Sequence, residues 1–66
     1  MKILKVIEVI ATSDKGFTEA AQNAVAQASK TVKNIQSIYI KEQKAQVVGS
    51  KITSYAVIAN IAFEVE

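Results

Sequence analysis

The twenty residues from Gln46 to Val65 constrain the fold most, because they are typical of one strand that is apolar on both faces. Side chains alternate between the two faces of a strand. One face would carry Val47, Tyr55, Val57, Ala59, Ile61, Phe63 and Val65, and the other Ile52, Ala56, Ile58 and Ala62. Such a strand needs cover on both sides. The chain offers one helix for one face, so the second face predicts burial against another copy of the chain.

Two further segments have clear patterns. Ile3 to Ala11 is rich in β-branched residues and predicts a first strand. Apolar residues then recur at spacings of three and four, mostly as alanine, and predict a helix over about Asp14 to Val32 with Ser13 as its N-cap. The small alanine side chains predict that this helix lies close to the sheet.

The remaining strands meet in a hairpin. Ile35 to Lys44 returns to strand character, and the polar residues near its end favour a turn over Gln43 to Gln46. Gly49-Ser50 reads either as a turn or as a bulge within the third strand. We therefore predict one α+β domain, residues 1–66, in the order β-α-β-β. Its three-stranded antiparallel sheet would have the order 1-3-2, with the helix on one face.

Composition excludes several classes of function. The 66 residues include no cysteine and no histidine, so thiolate and imidazole groups are absent from any site. Eight basic residues, all lysine, stand against six acidic ones and are scattered along the chain. Without arginine, nucleic-acid binding is not expected. We predict a non-enzymatic protein that is cytoplasmic, with no signal peptide and no membrane segment.

The segment from Ala11 to Ile35, ATSDKGFTEAAQNAVAQASKTVKNI, and the final SYAVIANIAFEV resemble the dodecins. Ala11 stands where glycine is usual in that family. The resemblance implies three antiparallel strands that partly wrap one helix, and a hollow homododecamer. It also implies binding of riboflavin, FMN or FAD as stacked pairs between tryptophans, with a glutamine of the last strand at the polar edge of the flavin.

The two residues that hold the flavin in that family are replaced here. Ser37 aligns with the tryptophan and Ala56 with the glutamine. An indole adds about 0.5–1.5 kcal/mol per stacked pair beyond its burial, which serine does not replace. Loss of a hydrogen-bond partner costs roughly 1–3 kcal/mol. The flavin site is therefore predicted to be degenerate, with weak flavin binding or another ligand in its place.

Other residues are candidates for the same pocket. Tyr39 and Tyr55 are aromatic residues that would rim it, although ordinary sheet packing with the hydroxyl in water is the simpler explanation for both. Lys5 and Lys44 lie near positions where dodecins present charge to the tail of the ligand, although solvated lysines need no such role. The predicted function is a dodecin-like binding or storage protein for a small aromatic ligand.

The alternative is a structural shell that binds ions and no flavin. Symmetry repeats a single carboxylate around an axis, which creates an oxygen site suited to magnesium or calcium. The candidates for such a site are Glu8, Glu64 and Glu66. Plain surface acids are the simpler explanation for all three.

Overall fold

A computed structural model describes residues 2–65, which form three strands and one helix. The elements are β1 (Ile3–Ser13), α1 (Phe17–Ala28), β2 (Ile35–Val48) and β3 (Lys51–Val65). The strands form one antiparallel sheet in the order β1-β3-β2. The predicted topology and strand order are confirmed.

The helix packs on the sheet through alanines. Ala20, Ala24 and Ala28 are buried on α1, opposite the buried Val57, Ala59 and Ile61 of β3. Side chains this small bring the helix axis close to the middle strand, as the spacing of alanines predicts. The partly buried residues that complete the core are Ile7, Val9, Ala11, Ile35 and Ile38. The core therefore lies entirely on one side of the sheet.

The prediction that Ser13 caps a helix beginning at Asp14 is wrong. β1 continues to Ser13, whose Oγ accepts a hydrogen bond from the backbone N–H of Lys15 at 3.0 Å. Gly16 is the N-cap, and its carbonyl accepts the N–H of Ala20 at 3.0 Å. The hydroxyl of Ser13 thus closes a local turn, which is a common alternative to capping for this residue type.

The predicted end of the helix at Val32 is also wrong, since α1 ends at Ala28. Ser29 Oγ donates to the carbonyl of Ala26 at 2.8 Å, and Thr31 Oγ1 donates to that of Ala28 at 3.4 Å. These hydroxyls compete with helical bonding at the end of the helix. Asn34 then adopts a positive φ of 65°, which directs the chain into β2.

The hairpin turn lies at Gly49-Ser50 rather than at Gln43 to Gln46, so that prediction is wrong. Gly49 has a φ of 66°, a conformation that favours glycine in a two-residue turn. The polar stretch before it is an exposed part of β2. As a result, Gln46, Val47 and Val48 belong to β2, and β3 begins at Lys51.

Candidate functional site

The face of the sheet that points away from α1 is the candidate site, and we call it the outer face. Paired residues on neighbouring strands share a face, so the register with Ile58 of β3 places Ile10 and Glu42 there. Val6 and Ile10 are 59% and 70% exposed on this face. Within residues 2–65 no element covers it, whereas the helix covers the opposite face.

The outer face contains a concavity where β1, β3 and β2 lie side by side near the end of β1. Its volume is about 490 Å³, within the range of small-molecule sites. The residues that line it are Ile10, Thr12, Lys44, Ala45, Gln46, Ser54 and Ala56. The floor is apolar, and hydroxyl, amide and ammonium groups surround it.

Hydrogen bonds hold one wall of the concavity. Ser54 Oγ donates to the side-chain Oε1 of Gln46 at 3.4 Å, and Thr53 Oγ1 donates to the backbone carbonyl of Gln46 at 3.3 Å. The register shifts between Gln46 and Val47, since Ser54 pairs with the first and Ile52 with the second. Such a shift is a β-bulge, which changes the direction of the neighbouring side chains and is frequent beside functional sites.

The structure brings together two of the predicted site residues. Ala56 of β3 pairs with Lys44 of β2 and with Thr12 of β1, so these three residues lie in one row across the sheet. Both Ala56 and Lys44 line the concavity.

Ser37 and Tyr39 lie on the outer face but outside the concavity. They pair with Ala62 and Asn60 of β3, and the side chain of Tyr39 is 67% exposed. Ala62 lies six positions after Ala56 in β3, which corresponds to about 20 Å along the strand. One chain therefore cannot place Ser37 and Ala56 against the same ligand.

Lys5 and Tyr55 lie on the helix side of the sheet. Lys5 pairs with Phe63 and is exposed beyond the end of the core. Tyr55 packs edge-on against Phe17 of α1, with ring centroids 5.0 Å apart and an interplanar angle of 79°. Neither side chain shares a face with the concavity of its own chain.

The described acidic candidates, Glu8 and Glu64, do not form an ion site within one chain. Glu8 lies on the outer face, and its Oε2 accepts a hydrogen bond from Lys41 Nζ at 2.7 Å across the middle strand. This hydrogen bond, together with charge attraction, raises the pKa of Lys41 above its usual value. Glu64 pairs with Leu4, and Glu66 lies outside the described residues. Among residues 2–65 no group of three acidic side chains converges on one point.

Comparison with known proteins gives the family. Residues 3–66 match the model of the family described as Dodecin. The chain belongs to the dodecin family. The resemblance noted in the sequence is therefore confirmed.

Several dodecins of known sequence or structure are similar to this chain. The dodecin of Thermus thermophilus is 29% identical over 65 residues, which cover 98% of this chain and 94% of that protein. A crystal structure of a variant of that dodecin superposes with a TM-score of 0.93, at 29% identity, and covers 100% of this chain and 98% of the other. The three strands that form the outer face here thus have counterparts in a solved dodecin fold.

A second solved relative comes from Mycobacterium tuberculosis. It is 31% identical, has a TM-score of 0.81, and covers 97% of this chain and 91% of that one. It is described as a calcium-chelating antigen, calcium dodecin, with a novel calcium-binding site.

Sequence reasoning missed Thr12, Gln46 and Ser54 as residues of the concavity. A turn over Gln43 to Gln46 would have separated Gln46 from β2, whereas the actual turn pairs it with Ser54. The signal that could have found it is Gly49, since glycine followed by serine is a frequent two-residue hairpin turn.

Among the described residues, no helix is both long and apolar enough to cross a membrane.

Proposed function

We propose that this dodecin assembles into a hollow homododecamer that binds a small planar aromatic ligand of the flavin type, weakly, as a binding or storage protein. Dodecins are small, non-enzymatic, flavin-binding proteins. The observation that carries the proposal is the uncovered apolar outer face, with its concavity around Ala56.

Assembly follows from the area of apolar surface that one chain leaves exposed. Val6 and Ile10 of β1 remain more than half exposed on the outer face. A chain of 66 residues is marginally stable alone, and oligomerisation is a common remedy. Burial of such side chains contributes roughly 25 cal/mol per Å². Copies of the chain that meet through their outer faces would recover this energy.

The same assembly would complete the ligand site. The concavity offers Ala56 and Lys44, while Tyr39 and Ser37 lie about 13 and about 20 Å away along the sheet. A ligand held against both regions must therefore lie between two copies. Lys44 would then face an anionic tail of the ligand, and Tyr39 of a second copy would offer an aromatic surface.

Binding is expected to be weak because of two short side chains. Ser37 is exposed and offers no ring for stacking, and Ala56 offers no hydrogen bond from the middle strand. Aliphatic contact with residues such as Ile10 would remain as the main contribution to affinity.

A titration with riboflavin, followed by quenching of flavin fluorescence, tests this function. We expect weak quenching with the unchanged protein and at least about tenfold tighter binding for Ser37→Trp, because an indole adds stacking and buried area. Ser50→Trp is the matched control, since Ser50 lies in the hairpin turn, away from the outer face. If Ser37→Trp binds no better than Ser50→Trp, the ligand site does not lie where we place it.

The likeness to a calcium dodecin favours a second candidate, an ion-binding shell. Glu8 is already paired with Lys41, which leaves Glu64 as the described member of the three predicted acids that is available to a symmetry axis. In this alternative the carboxylates of several copies would hold calcium or magnesium, without flavin.

Thermal unfolding separates the two candidates. If an ion holds the shell together, we expect a chelator to lower the melting temperature of the unchanged protein and to leave that of Glu64→Gln unaffected, because ligands that bind only the folded state stabilise it. Glu19→Gln, on the exposed part of α1, is the control. Equal melting temperatures with and without the chelator would exclude the ion role.

We also propose that the protein has no catalytic activity and acts in the cytoplasm. The chain has no histidine to activate any of its serines. The support for a cytoplasmic site is the absence of cysteine, which is compatible with a reducing compartment.

A further inference from the structure

Among residues 2–65, Gln46 is the only one whose side-chain amide lines the concavity. Ser54 Oγ donates to its Oε1 at 3.4 Å, which occupies one of the two lone pairs of that oxygen. The amide keeps two N–H donors and one acceptor site. It can therefore give and receive hydrogen bonds with the same ligand.

The position of Gln46 is held from two directions. Thr53 Oγ1 donates to its backbone carbonyl at 3.3 Å, and the shift in register falls directly after it. A backbone fixed by a bulge and a hydrogen bond limits the positions that its side chain can reach, so less freedom is lost on binding.

The surroundings of the amide limit the shape of the ligand. Ile10 and Ala56 provide an apolar floor beside Gln46, and Thr12 places a hydroxyl on the opposite strand. An apolar floor next to a polar wall suits a flat aromatic ring that packs on the floor and directs its polar edge to the wall.

We propose that Gln46 selects the ligand by pairing with a ring edge that carries a carbonyl next to an N–H group. The ligand class is a planar heteroaromatic compound with such an imide or lactam edge. This inference rests on the proposed function, and it assigns edge recognition to β2 rather than to position 56 of β3. Gln46 lies two register pairs closer to the hairpin turn than Ala56, a diagonal distance of about 7 Å between neighbours on the same face.

Calorimetric titration of the unchanged assembly with two three-ring compounds tests the assignment. Lumichrome carries the imide edge, whereas phenazine has similar rings without it. We expect Gln46→Ala to weaken lumichrome binding about tenfold and phenazine binding less than about twofold, because only lumichrome loses hydrogen bonds. Gln43→Ala is the matched control, since Gln43 pairs with Val57 on the helix side of the same strand.

The outcomes distinguish this inference from the function on which it rests. If lumichrome binds and Gln46→Ala resembles Gln43→Ala, the role of Gln46 is overturned and the ligand-binding function stands. If Gln46→Ala weakens the binding of both compounds equally, Gln46 shapes the cavity without recognising the imide edge, and the inference is again overturned. If the unchanged protein binds neither compound, the proposed function and the inference fail together.

Discussion

Replacement of Ile10 with aspartate is expected to dissociate the assembly. Ile10 is 70% exposed in the single chain and lies at the centre of the outer face, where the proposed contact between copies forms. A carboxylate buried there without a partner costs several kcal/mol in each copy. Since a closed particle repeats the substitution at every equivalent contact, the cost is multiplied. Mass measurement of the intact particle under native conditions should show small species in place of the dodecamer.

Ala26→Asp is the matched control for this experiment. It also converts an apolar residue to aspartate, but on an exposed position of α1 rather than on the outer face. We expect it to leave the particle mass unchanged. A stable, folded monomer of the unchanged protein at micromolar concentration would contradict the assembly itself. A dodecamer that survives Ile10→Asp would show that the copies meet through another surface.

Replacement of Ile61 with alanine should have the largest effect on the fold. Ile61 is fully buried at the centre of the middle strand, in one cluster with Ala24 and Ala28. Truncation of a buried isoleucine to alanine costs about 2–5 kcal/mol, since the surroundings fill the cavity only in part. The residues opposite Ile61 are alanines, whose side chains are too short to fill the cavity. For a small domain this is a large fraction of a total stability of about 5–15 kcal/mol.

Chemical denaturation at one fixed protein concentration measures this effect, because folding and assembly are coupled. Val48→Ala is the control, since Val48 lies beside the hairpin turn and is 61% exposed. We expect its effect to stay below about 1 kcal/mol. Equal losses for the two variants would contradict the position of the core between α1 and β3.

The topology could be predicted because several local signals agree. The β-branched run of β1, the alanine stripe of α1 and the doubly apolar middle strand each require a particular neighbour, and only one simple arrangement satisfies all of them. The ends of the elements could not be predicted equally well. Ser13 and Gly49 each suit more than one local role, and tertiary pairing decides which role is taken.

The candidate site shows the same division. Ala56 and Lys44 were expected in one pocket, and the register places them side by side. Ser37 and Tyr39 were expected with them, yet they lie farther along the same face, because the register between β2 and β3, which the order of residues does not give, decides which residues are neighbours. Gln46 was missed because its strand assignment depends on where the hairpin turns.

The sequence by itself determined which surfaces are apolar, and therefore that one helix covers only half of what the sheet must bury. Periodicity is a property of neighbouring residues, so it can be read along the chain. Only the tertiary structure decided which residues of separate strands share a row, that Glu8 is bound to Lys41, and that Gln46 borders the concavity. Those contacts depend on hydrogen-bond register between distant segments, and a shift of one residue in that register would direct every side chain to the opposite face.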